Sequence, residues 1–496
     1  MEAQGLESFP ADFPGAMPFG EFTAKYGHLA AGERAEEDAP VSIAGRVHGA
    51  RKAGKKLLFL DLKADGARVQ AMCDQAHFQG DWDRDLVERV KRGDVVGVRG
   101  TPARNKRGEL CLVPATVELL APCMRLLPKE HFGLKDPDLR YRARHVDLMC
   151  NPEVREVFVK RAAILRSLRS FLDARGFVEV ETPVLSREAS GAAARPFQTH
   201  HNALKSDLFL RVAPELYLKR LVIGGLSRVY EVGKAFRNEG VDATHNPEFT
   251  SVEAYQAFAD YTDMMTLTEE LLRSICIDLH GKPSCEVTDP ASSGGKVILD
   301  FAPAFARVDY IQALEDASGK TFPPAEELGS PDATKFLLSL AQGLTNGAGG
   351  AKTGAALIDR IAGQLVEPEL KQPTLLMHHP LLLSPLARAH RSRPGVSERF
   401  ELFMLGREVA NAYSELGDPR EQRRRFEDQA QARADGDDEA VRGVASFVDA
   451  LEYGLPPTGG WGLGVDRLCM MLLDKSSIRE VCLFPVMRPL PGEESL

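Results

Sequence analysis

The sequence predicts an α+β protein in two parts, a small closed β-barrel followed by a larger antiparallel sheet flanked by helices. Three observations lead to this prediction. Residues 41–122 contain five short runs in which apolar and polar residues alternate. Residues from 151 onward mix strand-like and helix-like segments without regular βαβ alternation. Residues 41–125 also carry 16 Lys and Arg against 10 Asp and Glu, although the whole chain has a net charge of −9.

Composition narrows the class of protein. The 496 residues are 44% hydrophobic and 27% charged, which is ordinary for globular proteins. No apolar run approaches the roughly 18 residues of a membrane span, and MEAQGLESFPADFPG has neither the basic start nor the apolar core of a signal peptide. The 8 cysteines are scattered without a C-x-x-C pair, which favours a reducing compartment. We therefore expect a protein of the cytoplasm, or alternatively of an organelle matrix, that does not associate with membranes.

The barrel is predicted from its turns and its charge. Runs such as KKLLFLDLKADG and ARVQAMCD give five strands, and QGDWDRDLVERVKRGD gives one interposed helix. This order is typical of an OB-type barrel, which commonly binds single-stranded nucleic acid through aromatic stacking in a basic groove. Phe59 and the cluster of Arg51, Lys52, Lys55 and Lys56 supply both parts. The acidic residues 1–40 precede the barrel and are expected to be mobile or partly helical near EFTAKYGHLA.

The larger part begins after a connector at 126–150 and spans 151–496. NPEVREVFVKRAAILRSLRSFLDARG predicts an amphipathic helix that starts near Asn151 and ends at Gly176. FVEVETPVL predicts a strand at 177–185, and PELYLKRLVIGG predicts a helix. RFELFMLGREVANAYSEL predicts a hairpin with Gly406 at its turn, and GLPPTGGWGLGVDRLCMMLLD predicts a glycine-rich strand that enters a helix.

Charged and aromatic residues are spaced at a strand period on both sides of one polar loop. The segment AFRNEGVDATHNPEFTSVEAYQAF opens with Arg237 and Glu239 and closes with Phe249, Glu253 and Tyr255. Residues two apart on a strand face the same side. The segment therefore predicts two neighbouring strands that present these side chains to one cavity.

Taken in order, GFVEVETPVL, AFRNEG…HNPEFTSVEAY and GWGLGVDRLCMML resemble the three signature motifs of class II aminoacyl-tRNA synthetases. The wider context, which includes RVAPELYLKR, HHPLLLSPLARAHR and REVANAYSELGDP, resembles the eukaryotic-type lysyl-tRNA synthetases over residues 41–488. The resemblance implies that ATP activates L-lysine to lysyl-adenylate and that the lysyl group passes to the 3′ end of tRNA-Lys. It also implies Mg²⁺, a homodimer built around GFVEVETPVL, an anticodon-binding barrel at 41–125 and a catalytic domain at 151–496.

The resemblance also implies roles for individual residues. Arg237, Glu239 and Arg467 would form the catalytic set, and a guanidinium fork suits the two anions that Arg237 would bridge, the α-phosphate and the lysine carboxylate. ATP would contact these three and also His245, Asn246, Phe249, Glu401, Glu408 and Gly464. Lysine would contact Arg237 and also Gly191, Glu215, Glu253, Tyr255, Asn411, Tyr413 and Glu415, with Glu215 at the α-ammonium and Glu415 and Tyr255 at the ε-ammonium. The anticodon would contact Arg51, Phe59, Gln70 and Glu109.

The implied metal ligands are Glu401 and Glu408, because hard oxygen donors beside a triphosphate suit Mg²⁺. Strict alternation along the strand puts Glu408 on the face opposite Asn411. The role implied for Glu408 therefore needs a β-bulge after Gly406.

Other functions stay open at this point. A related class IIb synthetase for aspartate or asparagine would need cationic or amide groups at the end of the pocket, where Glu253 and Glu415 are acids. A relative that lysylates a protein would lack the barrel. A catalytically inactive RNA-binding or signalling scaffold predicts damage at Arg237, Glu401 or Arg467, and all three are present.

Overall fold

The structure is a computed structural model, and it describes residues 9–36, 39–128, 134–188, 191, 194–292, 294–345, 347, 351–434, 441 and 443–490. The chain divides into two compact units, Met1–Arg155 and Glu156–Leu496. None of the helices in these ranges is both long enough and apolar enough to cross a membrane.

The first unit contains the predicted barrel. Its strands hydrogen-bond in the order β1-β2-β3-β5-β4 and close on themselves, which confirms the OB-type fold. Alternating residues such as Leu58, Leu60 and Leu62 point into the core. The interposed helix is a short π-helix at Trp82–Glu88. The strands are β1 (Val41–Lys52), β2 (Leu57–Ala64), β3 (Ala67–Asp74), β4 (Val95–Arg104) and β5 (Leu110–Ala121).

Three helices accompany the barrel in this unit. The helix expected near EFTAKYGHLA is α1 (Phe19–Tyr26), and its residues Phe19, Phe22 and Tyr26 are buried in the barrel core. After the barrel come α2 (Pro137–Arg142) and α3 (Arg144–Cys150).

The second unit is built on a sheet with the strand order β14-β15-β16-β17-β18-β11-β10-β6 within the described residues. Neighbours are antiparallel except for the β14/β15 and β10/β6 pairs, which confirms the α+β prediction. The sheet strands are β6 (Val178–Glu179), β10 (Arg228–Phe236), β11 (Glu248–Ala257), β14 (Ala306–Asp309), β15 (Thr374–Met377), β16 (Arg399–Met404), β17 (Arg407–Ser414) and β18 (Thr458–Gly464). The remaining strands are β7 (Leu185–Ser186), β8 (Gln198–His201) and β9 (Ser206–Leu210) in one small sheet, and β12 (Ser284–Thr288) and β13 (Lys296–Asp300) in a hairpin.

The helices of this unit are mostly amphipathic, and those on one face of the sheet form its main core. The apolar stripe of α4 (Pro152–Asp173) packs there with α6 (Tyr261–His280) and α12 (Val465–Leu472). The helix α6 starts in a capping box at Asp260 and ends at Gly281, whose φ of 72° suits glycine. The other helices are α5 (Glu215–Ile223), α7 (Tyr310–Ser318), α8 (Pro331–Gln342), α9 (Gly354–Leu365), α10 (Pro419–Ala434), α11 (Ala445–Leu451) and α13 (Ile478–Val481), with 3₁₀ turns at Ala325–Glu327, Glu367–Glu369 and Leu381–Leu383.

Two predicted strands are shorter than the sequence suggested. FVEVETPVL forms only the two-residue strands β6 and β7, and the segment between them contains Thr182 and Pro183. The strand β10 ends at Phe236, so Arg237 and Glu239 follow the strand rather than lie on it. The hydrogen bonds between β10 and β11 continue one step past the strands, because the amide of Arg237 donates to the carbonyl of Pro247 at 2.9 Å.

Candidate active site

An open cavity lies over the sheet face opposite the main core. The strands β11, β17 and β18 supply its floor, and the loop after β10 and the start of α12 supply one end. The predicted residues that line it are Gly191, Glu215, Arg237, Glu239, His245, Asn246, Phe249, Glu253, Tyr255, Glu408, Asn411, Tyr413, Gly464 and Arg467. Glu401 and Glu415 are not among the lining residues.

Strand register explains why these side chains meet. Across β11, β18 and β17, Glu253 pairs with Gly462 and Gly462 pairs with Asn411. In the next row of the same face, Gly460 lies between Tyr255 and Tyr413. The central strand therefore contributes glycines where its neighbours contribute large polar side chains, and this leaves room for a ligand above it.

One end of the cavity is acidic and holds a buried lysine that the sequence analysis did not single out. The ammonium of Lys219 is fully buried and lies 2.5 Å from a carboxylate oxygen of Glu215. It also contacts Oε2 of Glu415. Burial opposes the charged form, but Glu215 and Glu415 outweigh it and raise the pKa of Lys219. The hydroxyl of Tyr413 donates to the same oxygen of Glu215 at 2.7 Å.

The carboxylate of Glu415 lies against Gly460, on the side of the sheet that faces the cavity. A methyl group placed on Gly460 would meet Oε1 of Glu415 at 1.9 Å and Cε1 of Tyr255 at 2.8 Å. That Oε1 is buried and has no hydrogen-bond partner among the described residues. A buried carboxylate oxygen without a partner is costly, so a cationic ligand is the kind of group that this position fits.

Glu253 adds a third carboxylate at this end. It accepts a hydrogen bond from the hydroxyl of Tyr255 at 3.1 Å. Burial and the negative charge of Glu215 raise the pKa of Glu253 to about 8. Three carboxylates thus gather at this end, and Lys219 pairs with two of them, Glu215 and Glu415. Arg211 and Glu231, which pair with each other, act on Glu253 with opposite signs.

The opposite end of the cavity presents guanidinium groups and an aromatic ring. The guanidinium carbon of Arg237 lies 5.3 Å from the ring centroid of Phe249, and its Nε is buried without a hydrogen-bond partner among the described residues. Arg467 donates from one nitrogen to the carbonyl of Glu408 at 2.8 Å and lies 3.1 Å from Nε2 of His245 through the other. This end can therefore bind an anionic group beside a flat aromatic one.

Two further residues of this end are engaged by protein atoms. Glu239 accepts from the amide of Arg195 at 3.2 Å. Asn246 donates to the carbonyl of Glu248 at 2.5 Å and accepts from the amide of Val486 at 3.3 Å. Asn246 lines the cavity, and these bonds fix its amide group.

A β-bulge decides which way Glu408 faces. Leu402 pairs with Ala410, but Phe403 pairs with Glu408, so Val409 is the extra residue of the strand. The bulge shifts Glu408 onto the face that Asn411 occupies, and Glu408 lines the cavity. The alternation that set Glu408 on the opposite face is therefore broken within β17.

Glu401 lies on the neighbouring strand in an acidic cluster. One of its oxygens lies 2.5 Å from Arg399, and the other lies 3.2 Å from Nε2 of the buried His379. Burial and the charges of Glu401, Asp359 and Glu408 raise the pKa of Glu367 to about 8. Crowded carboxylates next to a cavity are a donor set that suits a hard divalent cation.

Another residue that the sequence analysis missed holds α12 against the sheet. The carboxylate of Asp466 is buried, accepts from the amide of Thr250 at 2.7 Å and lies 2.6 Å from Arg161. This anchors the first turn of α12, which carries Arg467. Asp466 was visible in the GVDR sequence, but its partner on α4 was not.

The four residues predicted to contact the anticodon lie on the barrel. Arg51 pairs with Phe59 across β1 and β2, and its guanidinium carbon lies 4.8 Å from the ring centroid. Gln70 of β3 pairs with Asp61 of β2 and donates to its carboxylate at 3.3 Å. Glu109 is exposed just before β5 and accepts from Asn105 at 2.9 Å. Phe59 and Gln70 are only half-buried, so their outer surfaces are accessible.

Comparisons with known proteins agree with this geometry. The family model described as tRNA synthetases class II (D, K and N) matches residues 136–488, and the OB-fold nucleic acid binding domain matches residues 41–127. The chain is 46% identical over 492 residues to lysine–tRNA ligase cla4 of Cladosporium cladosporioides, which covers 98% of this chain and 82% of that protein. It is 44% identical over 495 residues to the lysine–tRNA ligase of Thermotoga maritima, covering 100% and 95%. It is 45% identical over 457 residues to a probable cytoplasmic lysine–tRNA ligase of Encephalitozoon cuniculi, covering 90% and 88%.

Proposed function

Because this chain belongs to the class II tRNA synthetases, and within them to the lysine–tRNA ligases, we propose a role for each end of its cavity. The chain activates lysine with ATP and charges tRNA. This proposal depends on the opposite charges of the two ends of the cavity, because carboxylates suit the ammonium groups of lysine and guanidinium groups suit the phosphates of ATP. Glu253 and Tyr255 lie at the acidic end of β11 and Phe249 lies at its other end, six residues from Tyr255, which is about 20 Å of strand.

The acidic end selects lysine. Glu415 and Tyr255 bind the ε-ammonium, and Glu215 and the backbone of Gly191 bind the α-ammonium. Glu253, Asn411 and Tyr413 line the walls, with Asn411 near the carboxylate. The unpartnered Oε1 of Glu415 supports this assignment, because an ammonium there completes a buried pair. A neutral isostere such as methionine would leave that oxygen unpaired and would be rejected.

The basic end binds ATP and aligns the reaction. Arg237 bridges the α-phosphate and the lysine carboxylate, which lowers the repulsion as one attacks the other. Phe249 and Arg467 sandwich the adenine. Glu239, His245, Asn246 and Gly464 complete the nucleotide site.

The residues present fit Mg²⁺. Glu408 lines the cavity because of the bulge at Val409, and Glu401 lies in the acidic cluster that raises the pKa of Glu367. Glu401 and Glu408 would hold the ion. When bound, Mg²⁺ supplies positive charge to the triphosphate.

The barrel reads the tRNA anticodon. Phe59 stacks on a base, and Arg51, Gln70 and Glu109 bind the neighbouring base edges and backbone. The half-buried ring of Phe59 beside the exposed Arg51 supports this role.

The chain works as a homodimer in the cytoplasm. The strand β6 is the last strand of its sheet, and exposed apolar side chains surround it: Val178 is 50% exposed, Leu226 42% and Phe258 78%. An unpaired sheet edge with exposed apolar residues is typical of an interface. A cytoplasmic location agrees with the printed name of the Encephalitozoon relative.

The assignment of the pocket is tested with Glu415→Gln. We expect lysine affinity to fall about 10- to 100-fold, the value of a hydrogen bond to a charged group, while ATP affinity stays within a factor of two. Glu398→Gln is the matched control, because Glu398 is equally buried but pairs with Arg391 away from the cavity. Calorimetric titration of both ligands gives the two affinities. Equal losses for lysine and ATP would contradict the assignment.

A further inference from the structure

A cluster of two cysteines and one histidine lies outside the cavity. Cys276 and His280 are one turn apart on α6, and Cys285 lies on β12. Their ligand atoms all lie within 4.8 Å of one another. Within the part of the chain that the structure describes, no other group of three His, Cys, Asp or Glu side chains comes this close.

Local structure brings the three residues together. An i, i+4 pair shares one face of a helix, so Cys276 and His280 project side by side. The left-handed Gly281 then ends α6, and the chain reverses into the β12–β13 hairpin, which returns Cys285 to the same place. The spacing is C-x₃-H-x₄-C.

The histidine is already oriented as a metal ligand would be. Its Nε2 lies 3.1 Å from the carbonyl of Leu472, at the end of α12, and can only donate there. This leaves the lone pair on Nδ1. A backbone carbonyl that fixes the second ring nitrogen is the usual support of a histidine ligand.

Burial and distances suit a thiophilic cation. Cys276 is fully buried and Cys285 is 3% exposed, whereas His280 is more exposed than either and provides a path from solvent. Zinc–sulfur bonds of about 2.3 Å and zinc–nitrogen bonds of about 2.0 Å in a tetrahedron put the donor atoms about 3.5–3.8 Å apart. The ligand atoms, which lie within 4.8 Å of one another, would have to approach each other by at most about 1 Å to reach this spacing.

We propose that Cys276, His280 and Cys285 bind one Zn²⁺ ion, with water as the fourth ligand. Binding releases the two thiol protons as the thiolates form. The ion fastens the β12–β13 hairpin to α6 next to the end of α12. Lys296 of this hairpin already pairs with Asp474 at 2.5 Å, so the ion adds a second attachment beside an existing one.

The test uses the full chain, reduced and stripped of metal by a chelator. Zn²⁺ is titrated in competition with a chromophoric chelator, and Co²⁺ is added separately to record thiolate-to-metal absorption. We expect one equivalent of Zn²⁺, a rise in Tm, and a Co²⁺ thiolate band. In Cys276→Ser, Cys285→Ser and His280→Gln the zinc affinity falls about 10-fold or more. The control Cys123→Ser, a half-buried thiol of the first unit, keeps the affinity of the parent protein.

His280→Gln keeps the test valid if the buried cysteine variants fail to fold, because this side chain is more exposed than either cysteine. Lysine-dependent pyrophosphate exchange verifies that each variant is folded. Three results would overturn the proposal: no zinc binding by the reduced parent protein, unchanged affinity in the three variants, or a Cys276–Cys285 disulfide that forms in air and excludes metal.

Discussion

Lys219 and Glu415 form an ion pair in which both side chains are completely buried, 0% exposed each. Lys219 also holds Glu215, so one protein ammonium balances part of a set of carboxylates that includes Glu253. The lysine-free pocket therefore carries an excess of acid, and the ammonium of the substrate supplies the missing charge.

Removing Lys219 should destabilise the protein more than removing the pair. Lys219→Met leaves Glu215 and Glu415 buried without a cation, at a cost of about 3–5 kcal/mol. Thermal unfolding without lysine should show this loss. The double variant Lys219→Met, Glu415→Gln should recover a large part of it, because one uncompensated charge is gone. Losses that simply add would show that the two residues are not coupled.

Adding one methyl group to Gly460 should weaken lysine binding. In Gly460→Ala the Cβ would lie 1.9 Å from Oε1 of Glu415, so the carboxylate must move. An overpacked site costs about 1–3 kcal/mol, or about 10- to 100-fold in lysine affinity. Gly329→Ala is the control, because its Cβ would meet no atom within 4 Å and Gly329 does not line the cavity. Calorimetry on both variants measures the difference, and equal effects would argue against a lysine pocket at Gly460.

The carboxyl of Glu253 should make the lysine-free protein less stable as the pH rises. Its pKa is raised from 4.5 to about 8, so between these values the folded state binds a proton that the unfolded state releases. Stability therefore decreases with pH across this window. Glu253→Gln cannot titrate, and its gain in stability over the parent protein should be larger at pH 8 than at pH 6 by roughly 2 kcal/mol.

Thermal unfolding at both pH values measures this gain. Saturating lysine should stabilise the parent protein more than Glu253→Gln at pH 8, because the substrate ammonium favours the ionised carboxylate. A gain that does not change with pH would show that Glu253 keeps an ordinary pKa.

The barrel variant Phe59→Ala should weaken tRNA binding without affecting lysine activation. Stacking of a base on an aromatic ring is worth about 1–3 kcal/mol, so tRNA affinity should fall about 10- to 100-fold. Phe13→Ala is the matched control, since Phe13, in the segment before the barrel, forms a similar pair with Arg99 of β4 at 4.4 Å. Filter binding measures tRNA affinity, and pyrophosphate exchange measures activation. Equal effects of the two variants on tRNA would contradict the assignment of Phe59.

The sequence predicted those parts of the site that depend on strand alternation. Phe249, Glu253 and Tyr255 share one face of β11, and the hairpin turns at Gly406, as expected. The facing of Glu408 was not predictable, because alternation holds only until a bulge, and Val409 carries no bulge signal. A signal for Lys219 did exist, since it lies four residues after Glu215 on a helix.

Contacts between residues far apart in the sequence could not be predicted from local patterns. Asp466 meets Arg161 across about 300 residues of chain, and no local pattern encodes such a partner. The same holds for the cysteine–histidine cluster. The spacing of Cys276 and His280 is visible on α6, but the return of Cys285 depends on the hairpin that follows.

The central claim is that the acidic end of the cavity selects lysine for activation. ATP–pyrophosphate exchange by the purified protein, measured with each of the 20 amino acids in turn, tests it most directly. We predict that lysine supports exchange and that methionine, aspartate and asparagine do not. Absence of lysine-dependent exchange, or equal exchange with an uncharged amino acid, would contradict the claim.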